Sequence, residues 1–173
     1  MASESPGVTA WKEQTSAFDR VHSIATGLDR PRPAPYIASE AAVAENTARN
    51  HLGRLVEMNV LLATDDNGTT LYEPDPLHTR LRTLRSLLAS HSHDELLDLK
   101  ADLQAQIETW QAEYDAATPA ALRQSAADSE TPAETRAIRS TANEWALTAY
   151  RLGIVADAIE NYATYTSDLP ASA

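Results

Sequence analysis

The tightest constraint on this chain is the dipeptide Asn67-Gly68, which stands between the runs Val60-Leu61-Leu62-Ala63-Thr64 and Thr69-Thr70-Leu71-Tyr72-Glu73. Asn-Gly between two β-prone runs is among the strongest short-range hairpin signals, because both residues tolerate positive φ. The two runs are therefore expected to be strands joined through Asp65-Asp66-Asn67-Gly68 and closed by Pro74 and Pro76. Directly before them lie residues 45–58, where Ala48, Leu52, Leu55 and Val56 recur at helical spacing and make one apolar stripe. The opposite face carries Asn46, Thr47, Arg49, Asn50, Gly53 and Arg54, with Glu45 and Glu57 only at the ends. Arginine suits guanine edges and phosphates, and asparagine can pair bidentately with adenine. That face reads as a recognition helix for DNA, and a hairpin directly after such a helix reads as a wing.

The upstream segment fits this arrangement. From Thr9 to Gly27, residues Trp11, Phe18, Val21, Ile24 and Ala25 repeat at helical intervals up to a capping glycine. Arg30-Pro31-Arg32-Pro33-Ala34-Pro35 is expected to be a stiff connector, since its early prolines break a helix. Pro35 can open a second helix through Ala42, and Val43-Ala44 turns the chain into residues 45–58. Two short helices joined by so short a turn make a helix-turn-helix.

The formal net charge of −11 looks unsuited to a nucleic-acid partner until its distribution is examined. Residues 1–90 hold nine Lys or Arg against eleven Asp or Glu, a net of −2. Residues 91–173 hold five against fourteen, a net of −9, so the acidic excess lies mostly in the second half. Two lysines against twelve arginines, one Phe and abundant Asp, Glu, Ala and Thr suggest a halophile's cytosol, where acidic surfaces keep proteins soluble. An ordinary acidic protein is the plainer alternative. The absence of cysteine excludes disulfides, thiolate metal sites and a cysteine nucleophile. No apolar run approaches the roughly 20 residues of a spanning helix, and no signal-like N-terminus is present, so the expected compartment is cytoplasmic.

The second half is expected to be helical. Asp75 to Ser90 places Leu77, Leu81, Leu84, Leu87 and Leu88 inward, and Asp94 to Asp115 carries Leu96, Leu99, Leu103, Ile107, Trp110 and Tyr114. Residues 116–132 read as a loop with a short helix near Ala120–Ala127. From Pro132 to Tyr165, Ile138, Trp145, Leu152 and Ile159 repeat every seven residues, and Ala142, Ala149, Ala156 and Ala163 follow four behind. Large and small residues alternating in heptads allow close helix approach. This seam either pairs within the chain with the 94–115 helix or pairs between subunits. Its four heptads exceed the length of the 94–115 helix, which favours a homodimer interface.

Residues 35–61 resemble the winged helix of arsenical-repressor-like and sugar-sensing archaeal regulators, through Thr47-x-x-x-His51-Leu52-x-x-Leu55 and the turn into the wing. The whole chain, including Asn143-Glu144-Trp145 and Ile159-Glu160-Asn161-Tyr162-Ala163, looks like an uncharacterised halophilic-archaeal winged-helix family. The likeness implies a mainly α, α+β fold: a winged helix-turn-helix over residues 9–75, then a helical dimerisation domain over residues 76–166, with disordered ends at 1–8 and 167–173. It implies a transcriptional regulator that binds double-stranded DNA, with Asn46, Thr47, Arg49 and Asn50 nearest the bases and Arg54 nearer a phosphate. Asn67, Thr69 and Thr70 would meet the minor groove or backbone, against the opposition of Asp65 and Asp66, and Arg30 and Arg32 would add phosphate contacts. His51 would touch a phosphate or pack. A dimer would present two such helices about one DNA turn apart to a palindromic operator. The metal-sensing members' cysteines are absent here.

Other chemistries are weaker. His91-x-His93-Asp94 with His78 sets no metal geometry, and neither a metal nor a cofactor is expected. Trp110, Tyr114, Trp145 and Tyr150 could line an effector pocket, or form core. Asn67-Gly68-Thr69 matches a glycosylation sequon, which the hairpin explains better. No phosphate loop, Gly-x-Ser-x-Gly or His-Glu-x-x-His occurs, and an enzyme is not expected. The competing reading is a winged helix that docks a protein and never touches DNA.

Overall fold

A computed structural model describes residues 14–167. The chain is mainly helical with a small three-stranded antiparallel sheet, and it divides into two compact units between Leu81 and Arg82.

The first unit begins with α1, Ala17–Thr26. The expected start at Thr9, with Trp11, lies outside the described residues, but the helix does not run unbroken into Ala17. Ser16 caps it: its hydroxyl accepts from the Asp19 N–H at 3.1 Å, and the Asp19 carboxylate receives the Ser16 N–H at 3.2 Å. The Ser16 hydroxyl, donating at 2.6 Å, and then that N–H hold the Asp19 carboxyl below the usual range. The proline-rich connector is a correction. Arg32–Pro33 forms a short edge strand, β1, paired with the second hairpin strand. The fixed φ of proline suits extended backbone, and an edge tolerates its missing N–H.

Two helices follow, α2 (Ala34–Glu40) and α3 (Glu45–Glu57), joined by residues 41–44. Both end in the same way. Ala42 and Asn59 take φ of 51° and 56°, and behind them Val43 N–H donates to Ala38 C=O (3.0 Å) and Val60 N–H to Leu55 C=O (2.9 Å). These six-to-one bonds satisfy carbonyls that a helix end leaves open. Asparagine visits this region readily, whereas alanine's Cβ is crowded there.

The hairpin consists of β2 (Leu61–Asp66) and β3 (Thr69–Pro74), in register from Leu61 opposite Pro74 to Asp66 opposite Thr69. Its two-residue turn has Asn67 at φ 52° and Gly68 at φ 82°, the positive pair that twists the strands correctly. β3 is central, in the order β1-β3-β2. Val21, Ala25, Ile37, Ala38, Ala48, Leu52, Leu55, Val60 and Leu61 are buried in one core.

The division between units falls within α4, Pro76–Ser90. In the second unit α5, His93–Tyr114, is capped by Ser92 with Glu95. A short α6, Pro119–Ser125, precedes α7, Pro132–Glu160, and α8, Tyr162–Thr166. The expected continuous last helix breaks at Asn161, whose side-chain amide donates to the Asp157 carbonyl (3.2 Å) and carboxylate (2.9 Å). Two small cores form here. One gathers Leu84, Leu87, Leu96, Ile154, Val155 and Ala158, and the other Leu122, Ala142 and Trp145.

Ala42→Gly is expected to stabilise the first unit by about 0.5–1 kcal/mol, since relief of the positive φ outweighs glycine's entropy cost. A urea midpoint that stays put or falls would show that Ala42 carries no strain.

Candidate nucleic-acid interface

α3 buries Ala48, Leu52 and Leu55 and leaves Asn46, Arg49, Asn50, Gly53 and Arg54 exposed, with Thr47 half-buried at the boundary. The stripe and the polar face are those of the sequence. Arg49 is drawn to Glu45, one turn earlier, through a guanidinium–carboxylate pair whose side chains remain 59% and 47% exposed.

Residues of α1 hold this helix in ways that periodicity did not show. Arg20 is only 8% exposed. Its Nε donates to the Ala41 carbonyl at 3.0 Å and its Nη1 to the Thr15 carbonyl at 2.6 Å, so it ties α1 to the turn between α2 and α3. The one available signal was its place four residues before Ile24, on the flank of the apolar stripe. Phe18 meets the ring of His51 edge-on at 5.5 Å, and the Arg54 guanidinium lies 5.4 Å from the Phe18 ring. His51 therefore packs, with a buried Nδ1 that has no hydrogen-bond partner among the described residues. Arg54 is exposed yet rests against an aromatic ring.

The hairpin tip lies beside this face. A hollow of about 400 Å³ opens between the start of α2, Arg49 of α3 and the turn residues Gly68, Thr69 and Thr70. Asn67, Thr69 and Thr70 are exposed. The opposing acids are partly engaged: Asp65 accepts the Gly68 N–H at 3.0 Å and Asp66 the Asn67 amide at 2.9 Å. Arg30 is exposed, but Arg32 is half-buried in β1, with its guanidinium 4.3 Å over the Tyr36 ring and its buried Nε without a hydrogen-bond partner among the described residues. It is a stacked residue rather than an open phosphate ligand. The structure brings Asn46, Thr47, Arg49 and Asn50 onto one helix and Arg49 to the hairpin tip.

In the second unit the heptad seam does not act as one surface. Ile138, Ala142 and Trp145 pack within the chain against Ile107, Trp110, Tyr114 and Leu122. One heptad after Trp145 the series reaches Leu152, but Ile154 and Val155 take the core there instead. Ile159 packs at the edge of that core, Ala149 and Ala163 are exposed, and Leu152 and Ala156 are half-buried. The intersubunit expectation for Ala142 and Trp145 is thus corrected to intrachain packing, because the buried face of α7 turns between the two cores, with Ile138 and Ile159 half-buried at their edges. The proposed aromatic pocket is likewise core: the Trp110 and Trp145 rings pack at 6.2 Å, tilted by 32°, beside Tyr114, while Tyr150 is exposed. His93 meets Tyr162 edge-on at 5.3 Å, and no cluster of three or more metal-ligating side chains occurs among the described residues. No described helix is long and apolar enough to cross a membrane.

Fold and site thus define a mainly helical protein with a polar helix face set beside a hairpin. The chain belongs to the family of unknown function DUF7342, which it matches over residues 15–164. No curated protein matches it. A solved structure described as that of a transcriptional regulator is similar at a TM-score of 0.37 and 16% identity, over 92% of this chain and 99% of that one. A likeness at that level has no bearing on this chain's role.

Arg20→Met should keep the packed stem but leave two carbonyls without their donor, at a cost of about 1–3 kcal/mol in the unfolding of the first unit. An unchanged urea midpoint would mean that the turn stands without Arg20.

Proposed function

We propose that this protein is a dimeric, sequence-specific DNA-binding transcriptional regulator whose first unit is a winged helix-turn-helix. The observation that carries the reading is the face of α3 on which Asn46, Arg49, Asn50 and Arg54 are exposed with no acid between the ends. In this reading α3 enters the major groove with its N-terminal turns nearest the bases, and Asn46, Thr47 and Asn50 read base edges. The hairpin is the wing, with Asn67, Thr69 and Thr70 toward the backbone or minor groove. Arg30 and Arg54 add phosphate contacts from either side.

A protein-docking module would instead expose large apolar residues on α3. Met58 is exposed, but it stands at the C-cap one turn beyond Arg54, at the end of the helix away from Asn46 and Asn50. The DNA reading therefore fits that face better. It assigns no catalytic role and no cofactor. The net of −9 in residues 91–173 suits a half that faces away from the polyanion. If the working salt is molar, counterion release contributes little, and base contacts must supply more of the affinity.

Dimerisation in this reading uses what α7 does not spend on its own cores: Leu152 flanked by Ala149 and Ala156, whose small side chains permit a close approach by the partner's α7. A two-fold pair would present two copies of α3 to a palindromic operator.

Two outcomes follow. Asn46→Ala with Asn50→Ala should remove about tenfold or more of the discrimination between a duplex selected from a random pool and its single-base variants. The melting temperature should not change; a lowered one, or retained discrimination, counts against these residues as base readers. Leu152→Glu should sediment as a monomer, and a persisting dimer would move the interface elsewhere.

A further inference from the structure

The hollow beside Arg49 has walls of unequal chemistry. On the α2 side stand Pro33 and Pro35, which have no N–H to donate, and Tyr72 lines the hollow as well. Arg49, Gly68 and the hydroxyl-bearing Thr69 and Thr70 complete the lining. No acidic side chain among the described residues lines it. A helix arginine and two hairpin threonines therefore line one space together with two prolines and an alanine, an arrangement suited to an oxyanion carried on a carbon chain.

Arg49 also has a partner that it can exchange. Its pair with Glu45 is exposed and lies within one helix, the kind of ion pair that holds little free energy. A phosphodiester offers the same planar fork two oxygens in place of the single Glu45 oxygen bonded here.

From this juxtaposition we propose that the hollow is a seat for one DNA backbone phosphate, with Arg49 as its anchor and Glu45 as the counter-ion that Arg49 leaves on binding. The inference rests on the DNA-binding reading and deepens it. It moves Arg49 from reading bases to fixing the register of α3 between groove and wing, and leaves sequence discrimination to Asn46, Thr47 and Asn50. Thr69 and Thr70 complete the seat from the wing side, so helix and hairpin grip the same backbone position.

The test uses the full chain, a duplex that it selects from a random pool, and fluorescence anisotropy over a range of salt. Arg49→Ala should weaken binding to the selected duplex and to its single-base variants by the same factor, about tenfold at low salt, and should reduce the salt slope by about 0.9. Glu45→Gln should strengthen binding about two- to threefold with discrimination unchanged, as expected when an exposed pair no longer competes. One uncharged methylphosphonate, scanned along the backbone, should weaken the wild type at one position per half-site and leave Arg49→Ala indifferent there. Both side chains are exposed, and unchanged melting of each variant would exclude a folding defect.

If Arg49→Ala instead relaxes preference at a single base pair while keeping its salt slope, Arg49 reads a base and the seat is overturned alone. Saturable binding of inorganic phosphate to the free protein, lost in Arg49→Ala without effect on duplex binding, would make the hollow a small-molecule site and overturn it as well. A wild-type chain that selects no duplex would overturn the DNA reading and this inference together.

Discussion

One buried arginine sets the geometry on which the first unit depends. Arg20 reaches from α1 to the Ala41 carbonyl, at the start of the turn that aims α3. A guanidinium removed from water is tolerable only when its donors are used, so the hydrogen bonds to Ala41 and Thr15 are conditions of its burial. The same turn holds Ala42 at a positive φ that alanine resists. Donor and strained residue are neighbours. The turn keeps its shape because Arg20 and the Val43 to Ala38 bond constrain it from both sides.

From that fixed turn the polar face of α3 follows. Ala48, Leu52 and Leu55 anchor the buried side, and Phe18 supports the other edge by packing on His51 and lying under Arg54. The second helix-ending motif, at Asn59, then starts the hairpin without a loop, since Val60 caps α3 and joins the core with Leu61. That short path is why the Gly68–Thr70 turn and Arg49 can line one hollow.

Much of this was legible in the residues. The hairpin follows from Asn67-Gly68, because a two-residue turn with two positive φ values has few other sequences. The buried stripe and the Asn/Arg face of α3 follow from 3.6-residue periodicity. What was misread shares one cause: a local pattern does not state its partner. Arg32-Pro33 looked like a connector because proline excludes helix, but pairing with Leu71 and Tyr72 made it a strand. The heptads of α7 have the right spacing for a subunit seam, yet Trp145 is 2% exposed within its own chain. Arg20 was invisible as a structural residue because arginine is ordinarily a surface residue.

The sequence alone therefore determined the local conformations: helices where apolar residues recur at three and four, a hairpin where Asn meets Gly, and an acidic excess lying mostly in the second half. These depend on sterics, capping and solvation within a few residues of chain. Only the tertiary structure decided which groups those elements would satisfy. It gave Arg20 to the turn carbonyl and Arg32 to the Tyr36 ring, put Arg49 at the mouth of the hollow, and set half of the α7 seam against the chain's own aromatics. Burial and hydrogen bonding over long sequence separations settle such choices, and no short pattern encodes them.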